Sequence, residues 1–296
     1  MLGDIEATTK SWEPRSRISL LAARPSSTDY PLMIIDISES VGSGASNRVQ
    51  DVRAVQAALK RISQLTRDPQ LDPGPIDGDA GVGTEGAIEQ FQRRLGFRKP
   101  DARIDAGGTT LKRLGAWLGI GDLDVTYPFS TKSEFAFFGP GAGMRAFGAR
   151  RSEGKRAHAG VDLYFPDFTP VLAMAAGVVT RGPYPFYAQT FAVEIDHGSL
   201  LARYGEIAPD GTPPVQKGDP VERGQEIGRV GVLKRDDGSR LMKSGMLHLE
   251  FYDKTQTGRL SRKQGTSARN RHGTPYMRRR DLIDPSGLVS RASLPD

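Results

Sequence analysis

The sequence contains no cysteine. Disulfides and thiolate metal sites are therefore excluded, and any metal must be held by His, Asp or Glu. Histidine is also scarce: only His158, His197, His248 and His272 are present. No apolar run is long enough to read as a transmembrane helix. The first residues lack the pattern of a secretory signal, because Met1–Lys10 carries Asp4 and Glu6 and the apolar stretch Ile18–Ala23 is short and late. The expectation is synthesis in the cytoplasm, so that any work outside needs a route other than a cleaved leader.

What is present is a chain of 296 residues, long enough for two separate cores. Its 35 Gly and 20 Pro point to turns and short strands more than to long helices. The net charge is +6, with much of the excess in Arg259, Arg262, Lys263, Arg269, Arg271 and Arg278–Arg280. A basic surface favours polyanions, anionic wall and nucleic acid included, although a solvated face near the chain end is the plainer reading.

Residues 1–48 show no sustained period and read as an irregular arm with one short strand at Leu32–Ile37. Residues 49–118 read as helical. Val52, Val55, Leu59 and Ile62 share one face behind a cap at Asp51. After a Pro/Gly/Asp loop, Thr84 caps a second helix with Ala87, Ile88, Phe91 and Leu95 inward, and Thr109 opens a third with Leu111, Leu114 and Leu118. A loop leading to a threonine and a helix therefore occurs twice, through Ile76-Asp77-Gly78 and through Ile104-Asp105-Ala106-Gly107. With Val55-Gln56, Gly83-Thr84, Ala87-Ile88 and Phe91-Gln92, this segment resembles the three-helix peptidoglycan-binding domain. The insert Ser63–Pro75 departs from its compact form.

Residues 119–127 read as a linker, and residues 128–290 as a β domain with a C-terminal extension: the pattern turns to period two, with turn residues every few positions. Two segments carry chemistry. In His158-Ala159-Gly160-Val161-Asp162 a histidine and a carboxylate lie four residues apart. On a straight strand they would be about 13 Å apart, so joint ligation needs a bend, for which Gly160 gives freedom. In Met246–Tyr252, alternation places Leu247, Leu249 and Phe251 on one face and Met246, His248, Glu250 and Tyr252 on the other. His197 falls in a hairpin turn and reads as structural.

These blocks follow one another with Gly177-Val178-Val179, Ile195-Asp196-His197-Gly198, Tyr204 and Gly218-Asp219-x-Val221-x2-Gly224-Gln225-x-Ile227-Gly228. In that order they resemble the LytM/lysostaphin-like zinc endopeptidases of peptidoglycan, from about Pro128 to Leu288. The resemblance implies an all-β antiparallel catalytic domain of the duplicated hybrid motif type behind an all-α wall-binding domain. It implies Zn2+ held by His158, Asp162 and His248 with a fourth position open, and Glu250 as a partner of a ligand more than a ligand itself. Two departures stand out. Met246 and Glu206 occupy the places of two histidines that the family carries beside the metal. One reading makes Glu206 the general base, with Tyr204 on its strand face, by parity, as donor to the oxyanion. The other is a non-catalytic wall-binding protein or an activator of another hydrolase. The enzyme reading extends to an exported antibacterial toxin, with an immunity protein as partner, or to a phage lysin. No specific nucleic acid is expected as a partner.

Overall fold

The computed structural model describes residues 35–66, 68–121, 123–209, 215–270 and 272–295. Most of the expected N-terminal arm, with Leu32–Ile34 of its strand, lies outside them. Ile35–Ile37 is not a strand, and the first one, β1, is Val41–Gly42.

Three helices build the first core: α1 (Val49–Thr66), α2 (Val82–Arg94) and α3 (Thr109–Gly121). Their apolar stripes close on one another through Val52, Val55, Leu59, Ile62, Ile88, Phe91 and Leu114, all buried. A two-residue strand, β2 (Arg103–Ile104), pairs antiparallel with β1 and ties the segment ahead of α1 to the loop ahead of α3. The expected caps act elsewhere. The Asp51 carboxylate accepts from the Ser38 amide and hydroxyl and from the Glu39 amide, so it anchors the preceding segment. Helix α2 starts ahead of Thr84, at Val82, and Gly81 occupies the cap. Part of the insert after Ser63 is helical, because α1 continues to Thr66, and Leu71 returns to the core.

The repeated unit has a physical basis in two buried glutamines. Gln56 donates to Asp77 Oδ1, the Asp79 carbonyl and Thr84 Oγ1 at 2.9–3.0 Å and accepts from the Gly78 amide. One repeat later, Gln92 donates to Asp101 Oδ1 and the Arg103 carbonyl and accepts from the amides of Asp101 and Ala102. Each side-chain amide thus satisfies a polar loop that folds back over the bundle. Gly78 adopts φ +87°, and Ala102 takes the corresponding left-handed place at φ +54°.

The second core is antiparallel β. In chain order its strands are β3 (Arg150–Arg151), β4 (Arg156–Ala157), β5 (Val161–Phe165), β6 (Pro170–Leu172), β7 (Gly177–Pro185), β8 (Phe191–Asp196), β9 (Leu201–Ile207), β10 (Pro220–Val221), β11 (Glu226–Arg229), β12 (Gly245–Tyr252) and β13 (Leu282–Ile283), followed by helix α4 (Ser286–Arg291). The main sheet runs β10-β7-β8-β9-β12, and β5 and β13 share the far edge of β12. Strand β12 is therefore central and buried along its whole length. Leu247, Leu249 and Phe251 enter the apolar core, and the alternate residues face a polar interior. The pairing of β13 with Phe251 and Tyr252 folds the C-terminal extension back on the sheet through Leu282 and Ile283.

The expected linker 119–127 is not a free connector. Helix α3 runs to Gly121, Ile120, Val125 and Tyr127 join the β core, and Trp117 packs against both cores. Buried Arg113 pairs with buried Asp253, and Arg113 also donates to the Arg280 carbonyl at 3.1 Å.

Replacing Gln56 by Ala removes a fourfold hydrogen-bonding hub and should cost about 2 kcal/mol in urea unfolding. Gln90→Ala, which breaks only an exposed bond to Gln70, should change stability by less than about 0.5 kcal/mol.

Candidate functional site

The sheet brings His158, Asp162 and His248 together. Strand β5 lies antiparallel to β12 with Asp162 opposite His248. The chain ahead of β5 turns at Gly160, where any Cβ would strike the Leu249 carbonyl and His248, and returns His158 to the same side. His158 Nε2 lies 3.0 Å from Asp162 Oδ1 and 3.1 Å from His248 Nδ1, and His248 Nδ1 lies 2.8 Å from Asp162 Oδ1. All three residues are buried, and among the described residues they are the cluster with metal-ligand spacing.

The triangle fits a small divalent metal. Ligands at zinc bond lengths in tetrahedral geometry lie about 3.3 Å apart, close to the observed edges. The second nitrogen of each imidazole is already committed. His158 Nδ1–H donates to the Ala146 carbonyl at 2.8 Å, and His248 Nε2–H donates to Glu250 Oε1 at 2.9 Å. With a cation in the triangle, those bonds favour the tautomers that turn a lone pair toward it; without one, His248 Nδ1 carries a proton toward Asp162. Arg151 holds the other Asp162 oxygen at 2.8 Å. Burial opposes the Asp162 charge, but hydrogen bonds from the two histidines hold its pKa well below the usual range. Burial lowers His158. At His248 burial is outweighed by the bonds to Asp162 and Glu250, which raise it to about 9.

Behind His248 lies a buried ionic network. Glu250 is fully enclosed and accepts from Arg203 Nη1 at 3.0 Å, from Arg278 Nε at 2.7 Å and from the Tyr252 hydroxyl. Arg203 also reaches Glu194, which receives the Tyr184 hydroxyl. The C-terminal arginines are thus not one solvated run. Arg278 serves Glu250, and Arg279 forms a buried bidentate pair with Asp281 at 2.7–2.8 Å. Phe186 stacks over His248 at 6.0 Å, covering the open side of Gly205.

The structure places Glu206 and Tyr204 differently. In β9, Tyr204 lies opposite Leu249 and Gly205 opposite His248, so Tyr204 points into the apolar core. Its oxygen accepts from the Met174 amide at 3.0 Å and its hydroxyl meets His197 Nε2 at 2.9 Å, whose Nδ1 bonds the Ala176 carbonyl. The expectation that Tyr204 reaches an oxyanion is therefore corrected: its polar end is occupied on the other side of the sheet. Strict parity would send Glu206 there too. A bulge intervenes, because Ala192 pairs with Gly205 and Phe191 with Ile207, leaving Glu206 unpaired at φ +66°. The extra residue returns Ile207 to the core and turns Glu206 out of that phase. Burial, then the negative charge of Asp162, pushes its carboxyl up to about 8, while His248 and Arg151 act in the opposite sense. Glu206 Oε2 is buried without a hydrogen-bond partner. It is not one of the three clustered ligands. Met246, on the His248 face of β12, offers no proton-transfer group.

A buried triangle of two imidazoles and a carboxylate on an antiparallel sheet, beside an unpaired glutamate, fits a divalent metal ion. Residues 156–259 match the model of Peptidase family M23, and residues 48–114 match that of the "Putative peptidoglycan binding domain". The first match falls within the β domain and the second within the helical one. No curated protein matches it. Similar solved structures include a "putative peptidase M23" from Pseudomonas aeruginosa, 19% identical over 57% of this chain and 51% of that one, TM-score 0.31. A zinc-containing peptidase from Vibrio cholerae is 22% identical over 59% and 42%, TM-score 0.35. The catalytic domain of the antimicrobial peptidase lysostaphin from Staphylococcus simulans is 18% identical over 49% and 88%, TM-score 0.32. The chain spans about half the length of the first of these and less than half of the second.

Tyr204→Phe should leave His197 Nε2 and the Met174 amide unsatisfied and cost roughly 1–3 kcal/mol of stability. Metal stoichiometry of the folded variant should equal that of the parent. Loss of metal from a folded variant would return Tyr204 to the site.

Proposed function

We propose that the protein hydrolyses peptide bonds in the cross-links or stems of peptidoglycan with a zinc ion held by His158, Asp162 and His248. The observation that carries this reading is the complete ligand triangle with the unpaired Glu206 carboxyl beside it. Zinc bound there would supply Lewis acidity and the activation of water at neutral pH. Arg151 fixes the orientation of Asp162, and Ala146 and Glu250 fix those of the imidazoles. Glu206 accepts a proton from the attacking water and returns it to the leaving amine. Its burial suits that task, because a carboxyl raised toward neutral pH both takes and gives a proton there. The helical domain keeps wall polymer near the site by tethering. A toxin or phage lysin is the setting we infer, in which case expression directed to the periplasm should lyse cells and cytoplasmic expression should not.

A second reading is favoured by one observation: neither Glu206 nor Met246 is the histidine that the resemblance leads one to expect. In that reading the protein binds wall and metal without cutting, as an adaptor for another hydrolase.

Purified sacculi separate the two. The enzyme should release muropeptides in zinc and stop in chelator. Glu206→Gln should lower the rate by about 100-fold or more while metal and sacculus binding persist. Binding without release by the parent protein in zinc establishes the adaptor, and an undiminished Glu206→Gln removes Glu206 from the mechanism.

A further inference from the structure

A cavity of about 840 Å³ lies away from the metal triangle, between helices α2 and α3 and the segment around residues 267–284. It is an open cleft whose two walls come from the two domains. Its charge is one-sided. Six guanidinium groups line it, those of Arg93, Arg94, Arg98, Arg113, Arg269 and Arg280, against one carboxylate, Asp284. Some are committed: Arg93 to Glu89, Arg94 to Asp68, Arg113 to Asp253 and Arg269 to backbone carbonyls. Arg98 and Arg280 are exposed and have no side-chain acceptor among the described residues.

Two further donors in the lining are buried and unsatisfied. Arg113 is 6% exposed, and its Nη2 has no acceptor. Trp117 Nε1 is likewise buried without one. Buried donors of this kind are ordinarily paired. Each can take an oxygen acceptor. Beside them, Phe147 stacks on Tyr276 with centroids 4.9 Å apart, and both rings line the cleft. The cleft thus combines flat apolar faces with a row of forked cationic donors.

We propose that this interdomain cleft binds the carboxylate-bearing part of a peptidoglycan strand, with a sugar ring against half-buried Phe147 and stem-peptide carboxylates on exposed Arg98 and Arg280. Guanidinium–carboxylate pairing is bidentate and directional, so the cleft fixes the register of a strand that both domains touch. The identity of the polymer rests on the wall-hydrolase reading, but the binding does not require hydrolysis.

The test uses the full chain in chelator, so that no cutting occurs. The probes are a soluble uncross-linked glycan–tetrapeptide fragment, the same fragment with its carboxylates amidated, and a phosphodiester wall polymer. The parent should bind the free-carboxylate fragment and lose about tenfold on amidation. The double variant Arg98→Ala/Arg280→Ala, altered only at exposed positions, should bind the free-carboxylate fragment about tenfold more weakly, with an unchanged melting temperature and zinc content. Equal binding by parent and variant overturns the proposal, as does indifference to amidation. Preference for the phosphodiester polymer also overturns it and assigns the cleft to phosphate. A parent that binds the fragment but releases nothing from sacculi in zinc sinks the catalytic reading and leaves this one standing.

Discussion

The site depends on one buried carboxylate. Glu250 sits in the central strand with no exposed surface and gathers His248, Arg203, Arg278 and Tyr252. An isolated charge at that depth is prohibitively costly, so its partners are obligatory. That requirement explains why strand β9 carries an arginine opposite Glu250 and why the chain after residue 260 must return to the sheet with Arg278. The C-terminal extension is thereby part of the candidate metal site. Removing one cation from such a cluster typically costs 3–5 kcal/mol, and here it would also release the imidazole that Glu250 orients.

The same logic joins the domains. Arg113 and Asp253 are both buried at the boundary, and Asp253 directly follows the strand that bears His248 and Glu250. Trp117, packed on both cores, adds apolar contact at the same place. A wall-binding bundle hung on a flexible tether would sample many orientations. This one is fixed by a paired charge and a shared ring, which is why a cleft with walls from both domains has a defined shape.

Much of this was legible in the sequence, and the failures share a cause. Alternation in Met246–Tyr252 gave the face of His248, and the repeated loops gave the helical domain, because both are local periodicities. The pairing of Gln56 and Gln92 with their loops was visible only as repeated residues, not as a reason for them. Thr84 and Asp51 were read as caps because cap signals are local, whereas their hydroxyl and carboxylate bond to distant loop and segment. Arg278 and Arg279 read as solvent-facing because nothing local shows that Glu250 and Asp281 await them. Tyr204 failed through one residue of register: parity counts assume an unbroken strand, and the bulge at Glu206 breaks it.

That bulge bears on how a glutamate can stand where an imidazole is expected. A solvated carboxylate has a pKa near 4.3 and is a weak base at neutral pH, whereas an imidazole near 6.5 is well matched to it. Burial and the nearby Asp162 charge lift Glu206 to about 8, past the imidazole value, and a dication in the triangle would draw it back down toward neutrality. The environment thus gives the carboxyl the proton affinity that histidine has by nature. Left-handed backbone at a non-glycine residue costs on the order of 1–3 kcal/mol, and here it is held by the Gly231 amide, which donates to the Glu206 carbonyl at 2.7 Å, and by the bridge between Ile207 and Val230. What the strain achieves is to take Glu206 off the core face, where Tyr204 and Ala202 point, and leave one oxygen unpaired. A buried carboxyl oxygen left unpaired is costly in a residue that only packs, and this is what supports the proposal that Glu206 handles a proton.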